Sequence, residues 1–428
     1  MTPALPAERN GKRTSDLPSL TGLRIIAALL VFFAHASMLY NPLDLAAPIN
    51  FYADQDVAEG MAHVFAPAGF VGVSFFFVLS GFVLTWSRRD GDRTGAFWRR
   101  RLLKIFPSHL VTWAVVMVLF AAPYTPAHAW LPNLFLVHSF IPQPETFSSV
   151  NVPAWSLCSE LLFYLAFPFI IRPLLRIPER RLWPAAGAMV AGVATVAVLA
   201  KYVVPAGISY PLGPLPMTKM WFAYLFPPSR IFEFVLGVLL ARIVMCGRWP
   251  RIGAVPVAAM ALVGYAAAVE VPAPYNFALT TVVPIAAIIC TAAASDIRGE
   301  RTLLNRPFTV WLGTVSFGFY IIQAVPIFYG RLKIFGGRTY DSLTATALLF
   351  LLLAGTLLLG WMLCTIVELP VMRRWGRTRA RTGTAVAGPA GIPAPRPGIG
   401  PGPAQQLRHP ARQRRLRKRT TSKASTSK

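Results

Sequence analysis

Runs of roughly 20 mainly apolar residues, each long enough to cross the hydrocarbon core of a bilayer as a helix, recur along most of this sequence. They lie at about 20–40, 68–87, 106–122, 156–172, 184–204, 221–241, 252–270, 277–294, 308–329 and 343–366. A backbone surrounded by lipid must satisfy its own polar groups, and a helix does so within one segment. Prolines such as Pro168 and Pro284 do not veto a span, because neighbouring helices and waters can satisfy the freed carbonyls. The pattern predicts an all-α, polytopic membrane protein of about ten transmembrane helices. Composition agrees: 55% apolar and 14% charged residues are too apolar a balance for a soluble domain of 428 residues. The first run continues to Tyr40 without a small-residue cleavage site, so it is expected to remain as the first helix.

The net charge of +25 is not spread over one face; it gathers in short segments between the apolar runs. One alternate set of connections holds 20 Lys and Arg residues and the opposite set holds five, the C-terminal segment not counted. Basic residues resist translocation, so both termini are expected in the cytoplasm of a multi-pass cell-membrane protein. Residues 1–19 form a cytoplasmic N-terminal segment in this reading, and 20–375 form the transmembrane domain. In 376–428, Pro, Gly and Ala give way to RQRRLRKRTTSK, which has almost no large apolar residue to build a core. This tail is expected to be disordered and to attract anionic lipid; no nucleic-acid partner is expected. Cys158, Cys246, Cys290 and Cys364 stand singly, without metal-ligand spacing, so neither a disulfide framework nor a metal site is expected.

An ionisable side chain within a span costs roughly 2.5–3.5 kcal/mol at the helix centre on insertion scales, which makes each one a functional candidate. In LTGLRIIAALLVFFAHA, Arg24 precedes His35 by 11 residues, which places both on one helical face about 16 Å apart along the axis. The competing explanation is a snorkelling arginine and a packed histidine. The following span, GFVGVSFFFVLSGFVLTWSRR, carries Gly72, Ser74, Ser80 and Gly81, small residues suited to close helix packing. In FWRRRLLKIFP, Arg99, Arg100, Arg101 and Lys104 either set topology or bind phosphate. Glu160 in WSLCSELLFYLAFP is placed at the external start of its span, level with His35, where a carboxylate can orient an imidazole. Arg230 and Glu233, one turn apart, form either a structural or a substrate-binding ion pair. Glu368, near Arg373 in TIVELPVMRRW, reads as a cytoplasmic clasp.

Taken in order, the Arg24–His35 spacing, GVSFFFVLSGFVL, RRRLLKIFP, WSLCSELLFY, the Arg230/Glu233 segment, SFGFYIIQ and VELPVMR resemble the membrane-bound acyltransferase-3 family over about residues 17–375. That family includes bacterial O-antigen and Nod-factor acetylases. The resemblance implies transfer of an acyl group, acetyl foremost, from acyl-CoA to a hydroxyl of a sugar, an envelope glycan or another acceptor. No permanently bound cofactor is implied; acyl-CoA is a substrate. His35 then reads as the catalytic base with Glu160 orienting it, while Arg24, Arg99, Arg100, Arg101 and Lys104 hold the donor phosphates. A covalent acyl-enzyme intermediate stays open as an alternative to direct transfer. Gln323 departs from the family, where relatives often carry histidine in this segment, and a secondary proton-handling role there is put in doubt. LPSLTGLR is also similar to actinobacterial relatives that acylate macrolides. The alternatives are a transporter or flippase, with the buried Arg, His and Glu as a substrate or proton pathway, and a membrane scaffold.

Overall fold

The computed structural model describes residues 16–42, 47–88, 91–207 and 215–376. The expected tail beyond 376 and most of the expected N-terminal segment lie outside the described residues. Among those described, the only β-pairing is an isolated bridge between Tyr52 and Tyr340, so the protein is all-helical as its apolar runs predict.

Helix α1 spans Pro18–Ala36 and opens on a proline, whose fixed φ and missing N–H suit a first turn. It lacks a side-chain cap of its own, but Asp296 accepts from the Ser19 N–H at 2.8 Å and from Ser19 Oγ at 2.6 Å. Helix α2 (Gln55–Trp86) is capped by Asp54, and α3 (Thr94–Val116) runs on through a π turn at Met117–Ala121. The next four are α4 (Trp155–Leu175), α5 (Leu182–Tyr202), α6 (Ile231–Met245) and α7 (Ala254–Glu270). Then come α8 (Val282–Ile297), α9 (Pro307–Ile322) and α10 (Ser342–Leu363). The last runs on through a π turn at Cys364–Glu368 into Leu369–Trp375.

Seven helical stretches among the described residues are long and apolar enough to cross a membrane, eight if α9 and Val325–Phe335, bent by 48°, make one span. The expected count of ten is therefore not reproduced. The shortfall lies in α6 and α7, of 15 and 17 residues. The expected span 221–241 contains Pro227 and Pro228; the chain is extended at Phe226 and becomes a 3-10 turn over Pro227–Arg230 before α6 begins. Proline removes a helical donor and biases its predecessor towards extended geometry, which accounts for the break.

The buried centre is α2, which packs against α1 on one side and α6 on another, while α5 and α10 leave most of their surface to the surroundings. Glycines permit these approaches. A Cβ at Gly81 would be driven into the Phe234 carbonyl oxygen of α6, and one at Gly237 into the Val78 carbonyl oxygen of α2. A Cβ at Gly72 would lie 2.6 Å from the Ala27 carbonyl oxygen of α1. The glycines of the second apolar run thus serve packing, as their small size predicts.

The segment between α3 and α4 folds back into the bundle. His109, midway along the α3 stretch, has Nε2 3.0 Å from the carbonyl oxygen of Asn133. Asn151 donates to the Ile321 carbonyl oxygen at 3.0 Å, at the middle of the bent α9 pair. Asn133, His138, Ser139 and Asn151 are all buried: Asn133 Nδ2 donates to the Ser149 carbonyl, Ser139 to the Trp155 carbonyl of α4 and Asn151 Nδ2 also to the Thr112 hydroxyl of α3, while His138 Nδ1 lies 3.4 Å from Cys158 Sγ. Helix α4 consequently begins near mid-depth. Leu136 and Val150 hold left-handed conformations at φ 57° and 55°, costly for non-glycine residues; both side chains are buried, and the Val150 carbonyl accepts from the Tyr329 hydroxyl at 2.7 Å.

Candidate active site

The charged groups at the Arg24 level converge because three helices deliver them there. Arg24 comes from the second turn of α1, Arg101 and Lys104 from one face of α3, and Glu160 and Tyr164 from successive turns of α4. Glu160 has Arg24, Lys104 and Arg101 as its cationic neighbours and Tyr164 as a hydrogen-bonding one. Lys104 also forms an ion pair with the buried carboxylate of Glu368 and lies 5.4 Å from the Phe317 ring centroid. Arg101 stacks its guanidinium near Phe97 and Tyr164, at 5.6 and 5.7 Å, and its Nε has no hydrogen-bond partner.

Above this cluster is a cleft of about 360 Å³. Arg24, Glu160, Ser156 and Tyr320 give it polar groups, and Val73, Phe76, Phe77, Leu157 and Phe317 give it apolar walls. Ser156 Oγ and Tyr320 Oη are 2.6 Å apart, and each also reaches the Pro153 carbonyl oxygen, at 3.1 and 3.2 Å. The hydroxyl pair closes the far side of the cleft, at the level where α4 starts.

His35 lies beyond that pair, near the other end of α1. Its neighbours are Phe328, whose ring centroid is 5.3 Å away at 64°, and the side chain of Gln323. Gln323 donates from Nε2 to the Tyr320 carbonyl oxygen at 2.8 Å, which links the histidine level to the hydroxyl pair through α9. Arg24 and His35 both turn toward α9.

Two sequence expectations need correction. Glu160 faces Arg24, Lys104 and Arg101, whereas His35 faces Gln323, so the expected carboxylate–imidazole pairing is not formed. The cause is the inward fold of residues 123–154, which starts α4 at mid-depth and carries Glu160 into the opposite half from His35. The expected four-cation cluster also divides. Arg101 and Lys104 neighbour Glu160, while Arg99 donates to the Trp375 carbonyl oxygen at 2.6 Å and Arg100 pairs with Asp92.

Arg230 and Glu233 pair as their spacing predicts: Nε–Oε2 is 2.9 Å and Nη2–Oε1 is 3.1 Å, with both side chains almost fully buried. Arg230 also donates to Ser74 Oγ at 3.0 Å and sits between the Phe77 and Tyr224 rings. Ser156, Tyr320 and Tyr164 were not singled out by the sequence. Ser156 and Tyr164 lie in WSLCSELLFY and Tyr320 in SFGFYIIQ, but hydroxyl residues on apolar helices carry no charge to mark them.

Known proteins match most of the chain. A family model described as Acyltransferase domain, of the acyltransferase-3 type, matches residues 17–365. Acyltransferase MdmB of Streptomyces mycarofaciens is 39% identical over 382 residues, covering 86% of this chain and 94% of the relative. Nodulation protein 10 of Rhizobium leguminosarum bv. viciae is 32% identical, over 41% of this chain and 48% of the relative. Peptidoglycan O-acetyltransferase OatA of Listeria monocytogenes is 24% identical, over 71% of this chain and 48% of its own length. No solved structure matches the chain. The transporter and scaffold alternatives fall with these matches. The chain belongs to the acyltransferase-3 family and is a multi-pass membrane acyltransferase, joining an acyl donor to a hydroxyl-bearing acceptor.

Proposed function

We propose that this acyltransferase moves an acyl group, acetyl foremost, from a cytoplasmic acyl-CoA to a hydroxyl of a sugar, an envelope glycan or a macrolide-type metabolite. The observation that carries the reading is the division of α1: Arg24 lines a cleft whose Glu160 has Lys104 and Arg101 as further cationic neighbours, and His35 stands eleven residues further along the helix. About 16 Å of helix rise separates them, which suits a donor with phosphates at one end of a flexible arm and a thioester at the other. The distribution of Lys and Arg supports a cytoplasmic position for the Arg24 end.

Arg24, Arg101 and Lys104 would take the donor phosphates by charge-assisted hydrogen bonds. Glu160 limits repulsion among these cations before the donor arrives, and its role moves from orienting the base to ordering the donor site. Arg99 and Arg100 have other partners and drop out of it. Beyond Ser156 and Tyr320, His35 would remove the acceptor hydroxyl proton as that oxygen bonds to the thioester carbonyl carbon. The tetrahedral adduct then expels the thiolate, breaking the C–S bond, and the proton passes from His35 to sulfur.

Purified protein incubated with radiolabelled acetyl-CoA and candidate acceptors tests the reading directly. His35→Ala should abolish single-turnover transfer with coenzyme A binding retained, and Arg24→Ala should weaken donor binding. Near wild-type transfer by His35→Ala would return the histidine to a packing role.

A further inference from the structure

Which tautomer His35 adopts depends on the groups that meet its two nitrogens. Nδ1 is buried and has no hydrogen-bond partner within bonding geometry. One polar side chain, Gln323, interacts with the ring, and Phe328 fixes the ring plane by an edge contact. Gln323 is itself fully buried, at the bend where α9 ends. Its amide orientation follows from its other partner. The Tyr320 backbone carbonyl can only accept, so the amide end that meets it at 2.8 Å must be nitrogen. The remaining end, Oε1, is an acceptor and likewise has no partner within bonding geometry. Two buried atoms on neighbouring side chains, one able to donate and the other to accept, thus lack partners side by side.

We propose that Gln323 is the positioning residue for His35, with Gln323 Oε1 taking the Nδ1 proton so that Nε2 presents its lone pair to the acceptor hydroxyl. The inference rests on the reading of His35 as general base. The contact closes when the substrates are bound and the ring settles against the amide. A neutral amide therefore replaces the carboxylate that Glu160 would have supplied.

The test compares Gln323→Met, Gln323→Leu and Gln323→Glu with His35→Ala, each checked for folding by thermal unfolding and for coenzyme A binding. Met and Leu remove the acceptor at nearly constant size. They should lower kcat by about 10- to 100-fold, the range seen when a partner that orients a functional histidine is lost. Donor KM and the coenzyme A Kd should not move, since the phosphate site lies at the other end of α1. Gln323→Glu, as the neutral acid, keeps an acceptor oxygen in the Oε1 position and an O–H to donate to the Tyr320 carbonyl, and should restore most of the lost kcat. Wild-type kcat in folded Gln323→Met, or a Glu variant no better than Met, would overturn the positioning role while His35→Ala stays inactive. If His35→Ala itself turns over, the base assignment fails, and the proposal fails with it.

Discussion

The Arg230–Glu233 pair offers a quantitative test of the fold, because both charges are almost fully buried. Their side chains are 3% and 2% exposed, and two contacts join them at 2.9 and 3.1 Å. Removing one partner of such a pair costs about 3–5 kcal/mol, since the remaining charge is left uncompensated in a low-dielectric setting. The structure places the two single variants at different ends of that range. In Glu233→Leu, Arg230 keeps Ser74 at 3.0 Å, the Ala223 carbonyl at 3.4 Å and the faces of Phe77 and Tyr224. The expected cost is about 3 kcal/mol. In Arg230→Met, Glu233 keeps only the Ser74 hydroxyl as a polar neighbour, and the expected cost is about 5 kcal/mol. The double variant Arg230→Met/Glu233→Leu leaves no buried charge and should recover most of the loss. Thermal unfolding in detergent, followed by loss of a monodisperse peak, ranks the three. A double variant whose loss equals the sum of the single losses would refute the argument, because independent side chains show no coupling.

Three further outcomes are expected. External thiol labelling of intact cells should modify Ala127→Cys and spare Thr94→Cys; reversed labelling would invert the proposed orientation. Gly81→Ala, which drives a Cβ into the Phe234 carbonyl oxygen and to 3.0 Å from Val238 N, should reduce folded yield. Gly95→Ala, with nothing within 4 Å of its Cβ, should not, and equal yields from both would refute a tight α2–α6 seam. Asp341 caps α10, and hydrogen bonds from Thr344 and the Leu343 N–H hold its carboxyl below the usual range. A depressed folded-state pKa stabilises above the unfolded value and ceases to as pH falls through the folded one. The stability gap between wild type and Asp341→Ala should therefore be full near neutrality and narrow below about pH 4, near the ordinary aspartate value. A constant gap would exclude the carboxylate as the source.

Features encoded locally were legible in the sequence. Apolar runs mark helices because lipid leaves the backbone few alternatives, and Arg230 and Glu233 pair because three residues return to one helical face. Gly72 and Gly81 announce close approach by their size alone. The cluster at 99–104 shows the limit of such reading. Four cations within six residues look like one patch, yet Arg99 and Arg100 take their partners at Trp375 and Asp92, and Arg101 and Lys104 meet Arg24. Helical phase does not make that division, since Arg100 and Lys104 are four residues apart and share a face; the partners that other segments bring decide it. Span six is broken for a related reason: hydropathy averages across Pro227 and Pro228, whereas the backbone cannot.

The depth of Glu160 was out of reach for a different reason. A span boundary inferred from hydropathy assumes that the preceding loop stays outside, so Trp155 marks the outer surface and Glu160 falls level with His35. The segment before Trp155 is apolar and aromatic enough to be buried, and its polar residues Asn133, Ser139 and Asn151 find partners on backbone deep in the bundle. Its fold-back lowers the start of α4 and carries Glu160 several ångströms toward the basic end. The chemistry is thereby redistributed. The carboxylate gathers cations, the imidazole is left with a neutral amide, and a serine–tyrosine pair stands between the two levels. In the proposed mechanism donor recognition and proton transfer thus occupy separate depths of one protein interior, and an electrostatic change made to admit the donor need not disturb the base.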